Sequence, residues 1–142
     1  MKLTILTGPP RNPEDDKKWV KHFFSLSGKK VISGGTTTRI VSELLDLEVE
    51  VPLTKCQWGM PPVGNVGGYV ATEGVISLES LINQWNVINE NRNHPSSKLK
   101  RMIHEASAIN IIQGRGNKRK ELVNQLIILI EQMGKSVQLE MY

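Results

Sequence analysis

The fold is indicated most clearly by one segment, Lys30-Val31-Ile32-Ser33-Gly34-Gly35-Thr36-Thr37-Thr38-Arg39-Ile40-Val41. Its first four residues form a short segment rich in β-branched side chains, which is typical of a buried strand. Two glycines then interrupt the strand, and apolar residues recur at helical spacing from Ile40 to Leu45. The stretch therefore predicts a strand, a tight loop and a helix in direct succession.

The same succession recurs on both sides of this stretch. Residues 2–7 alternate and end at Gly8-Pro9-Pro10, and Asn12-Pro13 is a favourable helix start because Asn caps helices and Pro suits their first position. Gly28 is the expected end of that helix. Further strands are predicted at residues 48–51, 69–72, 108–112 and 137–142, and further helices from Ser77, from Pro95 and over residues 122–133.

Strands that alternate with helices require crossover connections, and crossovers join parallel strands. We therefore predict an α/β fold, a three-layer α/β/α sandwich with a mainly parallel, Rossmann-like sheet. The segment 52–68 is rich in proline and glycine and is predicted to be a long irregular connection.

The chain has 142 residues, the usual length of one domain, so residues 1–142 are expected to form a single α/β domain. Its one cysteine, Cys56, cannot form an internal disulfide, and no segment resembles a signal peptide, so a cytoplasmic setting is expected. The longest apolar run is too short to span a bilayer. The net charge is +4, but its basic clusters fall in predicted helices, so no nucleic-acid partner is expected.

Ligands of such sheets bind at the loops that follow the carboxyl ends of the strands. Four of these loops are polar and glycine-containing, and we expect them to converge at one edge. The predicted ligand-binding residues are Thr7, Gly8, Gly34, Gly35, Thr36, Thr37, Thr38, Thr72, Glu73, Gly74, Gly114 and Arg115.

The chemistry of these residues favours an anion. Gly34 and Gly35 permit positive φ and a close approach of the backbone, and the threonines after them offer hydroxyls and unpaired amides at a helix start. Arg115 can grip two oxygens of a phosphate or carboxylate. The alternative is that the glycines form only a tight turn and a helix cap.

No catalytic residue, metal site or cofactor is predicted. Glu73 could be a base or could bind a ligand hydroxyl or amine, and a solvated carboxylate at a helix start is the alternative. His22, His94 and His104 lie on different predicted elements without ligand spacing, which argues against zinc. Cys56 shows no sign of activation.

Three blocks of the sequence resemble a known family. They are the run that begins Thr7-Gly8-Pro9-Pro10, the run Gly28-Lys29-Lys30-Val31-Ile32-Ser33-Gly34-Gly35-Thr36-Thr37, and Thr72-Glu73-Gly74-Val75-Ile76-Ser77-Leu78. In this order they resemble the C-terminal region of bacterial stage II sporulation protein E-type serine phosphatases, where similar blocks follow the phosphatase domain. Gly114-Arg115 and Gly134-Lys135 are also similar.

This resemblance implies that the chain is an excised C-terminal domain of a larger phosphatase. The phosphatase domain of that family uses several aspartates, including one before a glycine, to hold manganese or magnesium. This chain has only Asp15, Asp16 and Asp46, and none of them precedes a glycine. Metal-dependent phosphoester hydrolysis is therefore not expected from this chain alone.

The leading hypothesis is a non-catalytic regulatory domain that binds a small anionic or phosphate-containing metabolite and accompanies a phosphatase domain. One alternative is a small transferase or isomerase for a phosphorylated or carboxylated substrate, with Glu73 as the base. Another is a docking or dimerisation module, a homo-oligomer included, in which Trp58 or Trp85 is an exposed anchor.

Overall fold

The computed structural model describes residues 2–46, 49–50, 64–66, 69–72, 81–82, 85, 95–116 and 120–142. Its strands are β1 (Lys2–Thr7), β2 (Lys29–Ser33), β3 (Val49–Glu50), β4 (Gly64–Val66), β5 (Tyr69–Thr72), β6 (Ala108–Gln113) and β7 (Ser136–Met141). Its helices are α1 (Asp16–Ser25), α2 (Gly35–Leu45), α3 (Pro95–Glu105) and α4 (Lys120–Gln132). A 3-10 turn, Pro13–Asp15, precedes α1, and Leu81 and Ile82 are also helical.

All of these strands belong to one sheet, in the order β3-β4-β5-β2-β1-β6-β7. The strands β5, β2, β1, β6 and β7 run parallel to one another. At one side, β4 pairs antiparallel with both β5 and β3. Counted along the chain, the parallel strands stand in the order third, second, first, fourth and fifth, which is the doubly wound arrangement. The winding reverses between β1 and β6, and such sheets usually bind ligands at the carboxyl ends of the strands beside that reversal.

Two apolar clusters lie on opposite faces of the sheet. Leu6, Ile32 and Ile112 face α1 and α2 and pack against buried side chains that include Trp19 and Val41. Alternate strand residues point to the other face and pack against α3 and α4, through side chains that include Ile103 and Leu126. The predicted three-layer α/β/α sandwich is therefore confirmed.

The start of α1 differs in detail from the prediction. Asn12 precedes the 3-10 turn and makes no side-chain capping bond, and α1 itself begins only at Asp16. The apolar face of α1 is buried, through Trp19, Val20 and Phe23. Gly28 follows the helix by three residues and has φ of +100°, so it forms the turn into β2. A side chain there would overlap the Lys2 backbone.

One further prediction needs correction, and others concern residues that the structure does not describe. The segment predicted to be irregular contains β4, which the prediction missed. Leu44 and Leu45 keep the helical spacing of α2 but are 39% and 42% exposed. The predicted helix start at Ser77, and residues 51–63 with Cys56 and Trp58, lie outside the residues that the structure describes.

Candidate functional site

The carboxyl ends of β5, β2, β1 and β6 are neighbours in the sheet, as the loop prediction requires. Their final residues pair in register: Thr72 with Ser33, Ser33 with Thr7, and Thr7 with Gln113. We call these four residues the carboxyl-edge row. Because paired residues of parallel strands project to the same face, Thr7, Ser33 and Gln113 present consecutive polar side chains on the face that carries α3 and α4.

The carboxyl-edge row is buried where its side chains are described. Thr7 and Gln113 are 1% exposed and Ser33 is fully buried. The Oε1 atom of Gln113 is buried and accepts no hydrogen bond from the part of the chain that the structure describes. Buried side-chain polar atoms nearly always have a partner, and this oxygen is one of five in the described residues that have no hydrogen bond.

The junction between β2 and α2 has a more specific geometry than the glycine pair predicts. Gly34 has φ of +114°, a conformation that favours glycine, whereas Gly35 is the first residue of α2 and has no positive φ. Of the two glycines that permit positive φ, Gly34 is therefore the one that uses it. The carbonyl of Gly34 accepts bonds from the amide and the hydroxyl of Thr38, at 2.9 and 2.7 Å.

The three threonines after Gly35 have different surroundings. Thr38 is nearly buried, and its hydroxyl is used within the helix turn. Thr36 is exposed, whereas Thr37 is fully buried and its Oγ1 has no partner among the described residues. The amides of Gly35, Thr36 and Thr37 have no intrahelical acceptor because they belong to the first turn. This turn can therefore bind an anion through its amides and its positive dipole end.

The junction between β1 and β6 is closed by the backbone. The amide of Gly114 donates to the carbonyl of Thr7 at 2.7 Å, and that of Gly116 donates to the carbonyl of Pro9 at 2.9 Å. A Cβ at Gly114 would overlap the backbone of Pro9, and one at Gly8 would overlap the indole of Trp19. Gly8 and Gly114 are thus explained by packing, and no ligand is needed to account for them.

Arg115 lies in the turn after β6, at the same edge. Its amide donates to the carbonyl of Tyr142 at 2.7 Å, so the turn is tied to the end of β7. Its side chain is exposed. One strand, β1, separates β6 from β2, so the two strand ends are about 10 Å apart, a gap that an arginine and a phosphate-sized anion can span.

Several charged groups lie away from this edge. Lys100, expected among solvated basic residues, is 5% exposed, and its Nζ donates to the carbonyl of Trp85. Burial lowers the pKa of Lys100. Its Nζ also lies 5.4 Å from the centre of the Trp85 ring. Trp85 is half-buried against the core, which argues against its predicted role as an exposed anchor.

His22 on α1 contacts the carboxylate of Glu140 on β7. The pKa of the neighbouring Tyr142 is raised by burial and by the negative charges of Glu140 and Asp15. Among the described residues, no group of three or more His, Cys, Asp or Glu could hold a metal ion. None of the helices in the described ranges is long and apolar enough to cross a membrane.

A groove of about 620 Å³ lies between α1 and α2. It is mostly apolar, through Val20, Phe24, Leu44 and Leu45, and two exposed lysines, Lys17 and Lys21, also line it. None of the twelve predicted site residues lines this groove.

The predicted site residues thus separate into three groups. Thr7, Thr72, Thr37, Gly35, Thr36 and Arg115 lie at or beside the carboxyl edge. Gly8, Gly34, Gly114 and Thr38 maintain local structure there, and Glu73 and Gly74 lie outside the described residues. Ser33 and Gln113 begin two of the predicted loops but were not among the predicted ligand-binding residues, although a polar residue that ends an apolar strand was a visible signal.

Comparison with known proteins adds no relative to this description. The chain matches no protein-family model, no curated protein and no solved structure. The resemblance to stage II sporulation protein E-type phosphatases therefore stays a prediction.

Proposed function

We propose that this chain is a non-catalytic regulatory domain that binds a small anionic ligand at the start of α2, beside the carboxyl-edge row. The observation that carries the proposal is the hydroxyl of Thr37. It is fully buried in the first turn of α2 and has no partner among the described residues. A ligand that contacts this turn would explain why a polar group is kept there at an energetic cost.

An anion suits this position better than a neutral ligand. The amides of Gly35, Thr36 and Thr37 belong to the first helix turn, and the helix dipole favours negative charge there by roughly 0.3 to 1 kcal/mol when exposed. That contribution alone is far too small for micromolar affinity, which requires about 8 kcal/mol. The proposal therefore includes Arg115, whose guanidinium would bind the anion from the end of β6.

The closed β1–β6 junction directs the ligand toward β2. Doubly wound sheets commonly bind ligands where the winding reverses, but here that crevice is bridged by the bonds of Gly114 and Gly116. At the adjacent β2–α2 junction, the first-turn amides have no intrahelical acceptor. The proposed ligand thus lies one strand away from the usual crevice.

The accompanying phosphatase domain is the second part of the proposal. It is supported by the sequence blocks around Gly8, Gly34 and Glu73, and by them alone. The enzyme alternative depends on Glu73, which lies outside the described residues. It stays a prediction.

Calorimetric titration and thermal-shift measurements with inorganic phosphate, nucleotides and sugar phosphates test the proposal. We expect at least one of these compounds to bind and to raise the melting temperature, since a ligand that binds only the folded state stabilises it. Arg115→Ala should weaken that binding about ten- to hundredfold, because a charge-assisted hydrogen bond contributes about 1.5 to 3 kcal/mol.

Arg39→Ala is the matched control. Arg39 also lies on α2, is exposed and faces Glu43 at 3.8 Å, so its loss removes the same charge without touching the first turn. If both variants weaken anion binding equally, the affinity depends only on the net charge of the protein. Unchanged affinity in Arg115→Ala and Gly35→Val would rule out the site. In a longer protein with a phosphatase domain, the same ligand should change turnover, and Arg115→Ala should abolish that response.

A further inference from the structure

Two strands form the edges of the sheet in the described part of the chain. One edge is formed by β3, of which the structure describes Val49–Glu50. The other is formed by β7, whose six residues pair with β6 along their whole length. Within the described residues, no strand pairs with the outer side of β7.

An edge of this length is usually protected. Proteins discourage edge-to-edge pairing with very short strands, lysines, prolines or bulges. The edge strand β7 contains no lysine, no proline and a single charge, Glu140. That carboxylate is engaged with His22 on the α1 face. The β7 edge therefore lacks the usual obstacles to pairing.

The hydrogen bonds at the end of β7 establish which of its backbone groups point outward. The amide of Tyr142 donates to Gln113 at 2.8 Å, and the carbonyl of Tyr142 accepts from Arg115 at 2.7 Å. Both groups of Tyr142 thus face β6. Because successive strand residues alternate in direction, the groups of Val137, Leu139 and Met141 face away from β6.

The side chains of these three residues also share a face. Val137 packs against the apolar cluster on the face of the sheet that α3 and α4 cover. Leu139 and Met141 follow Val137 at a period of two and so project to the same face. Leu139 is 37% exposed, whereas Glu140 and Tyr142 project to the opposite face. The three residues whose backbone groups point outward are thus the same three whose apolar side chains share one face of the sheet.

We propose that a second copy of this chain pairs antiparallel with β7, about a twofold axis at Leu139, so that the two sheets become one. In this register Leu139 faces Leu139 of the copy, and Val137 faces Met141. Each of these pairs exchanges two backbone hydrogen bonds, since all three residues have outward groups. On the other face Glu140 lies opposite Gln138, which avoids the like-charge pair of a register centred on Glu140.

The first experiment measures mass by light scattering and sedimentation over a range of protein concentrations. We expect the mass to rise toward twice the 15.9 kDa of one chain. Leu139→Lys should raise the dissociation constant about tenfold or more, because two lysines would face each other. Circular dichroism should show that this variant remains folded, since residue 139 has no backbone bond to β6.

Leu44→Lys is the matched control, because Leu44 is a similarly exposed leucine on α2, at 39%. It should leave the dimer unchanged. A wild-type monomer at every concentration up to about 1 mM would overturn the proposal. So would a dimer that Leu44→Lys weakens as much as Leu139→Lys.

The second experiment tests the register in a Cys56→Ser background. Residues directly opposite in a hydrogen-bonded antiparallel pair have Cα atoms about 5.5 Å apart, which a disulfide can bridge. Leu139→Cys should therefore cross-link two chains under mild oxidation. Gln138→Cys should not, because residue 138 lies opposite residue 140. Equal or faster cross-linking of Gln138→Cys would overturn the register.

Discussion

The junctions after β1 and β2 lie side by side at the carboxyl edge, yet their glycines serve different purposes. After β1, Gly8 makes room for the Trp19 indole, and the Pro9 backbone lies against Gly114, the residue that follows β6. After β2, Gly34 provides a positive φ and Gly35 begins a helix. The first junction is bridged by backbone hydrogen bonds. In the second, the first-turn amides of α2 have no intrahelical acceptor, and the buried Thr37 hydroxyl has no partner among the described residues.

This difference separates structural from functional explanations of similar motifs. A closed junction loses stability when a side chain is added, because backbone atoms must move. An open junction has polar groups that folding does not use, so changes there can alter binding while stability stays almost constant. Substitutions in the two junctions should therefore differ in size and in kind.

Gly114→Val should have the largest effect on stability. A side chain at residue 114 would overlap the carbonyl carbon and oxygen of Pro9 and the nitrogen of Pro10, which are all backbone atoms. We expect a loss of about 2 to 4 kcal/mol in the free energy of unfolding. Urea unfolding followed by circular dichroism measures this loss.

Gly134→Ala is the control for that prediction. Gly134 ends the turn after α4 with φ of +82°, and an added Cβ would meet nothing within 4 Å. Only the backbone conformation is penalised there, at roughly 1 to 2 kcal/mol. If Gly114→Val costs no more than Gly134→Ala, the close contact between the two loops is not needed for folding.

The contrast between the junctions shows how far the sequence alone could predict this protein. Strand, loop and helix periodicity is local, so the layered fold and the position of most elements followed from it. The contact of Gly114 with Pro9 joins residues more than one hundred positions apart, so its role depended on the strand order. The same holds for Gln113 in the carboxyl-edge row. Burial of Lys100 against Trp85 was also invisible, since lysines on helices are usually solvated.

Gly34→Ala and Gly35→Ala should separate the two glycines of the open junction. Ala at residue 34 must adopt φ near +114°, which we expect to cost about 1 to 2 kcal/mol. Ala at residue 35 lies in a helix, where it is favoured over glycine, so stability should rise by about 0.5 kcal/mol. Thermal and urea unfolding of both variants measure the two shifts. Equal losses would mean that the positive φ is not confined to Gly34.

Thr37→Val should have the smallest effect on stability and the clearest effect on function. Valine keeps the shape of the side chain and removes a buried hydroxyl that has no partner among the described residues. The free energy of unfolding should therefore stay constant or rise, by no more than about 1 kcal/mol. Affinity for the anion found by titration should fall, because the ligand would lose a buried hydrogen-bonding group. A loss of stability above about 1 kcal/mol with unchanged affinity would mean that Thr37 has a structural partner, and the open junction would then be as self-contained as the closed one.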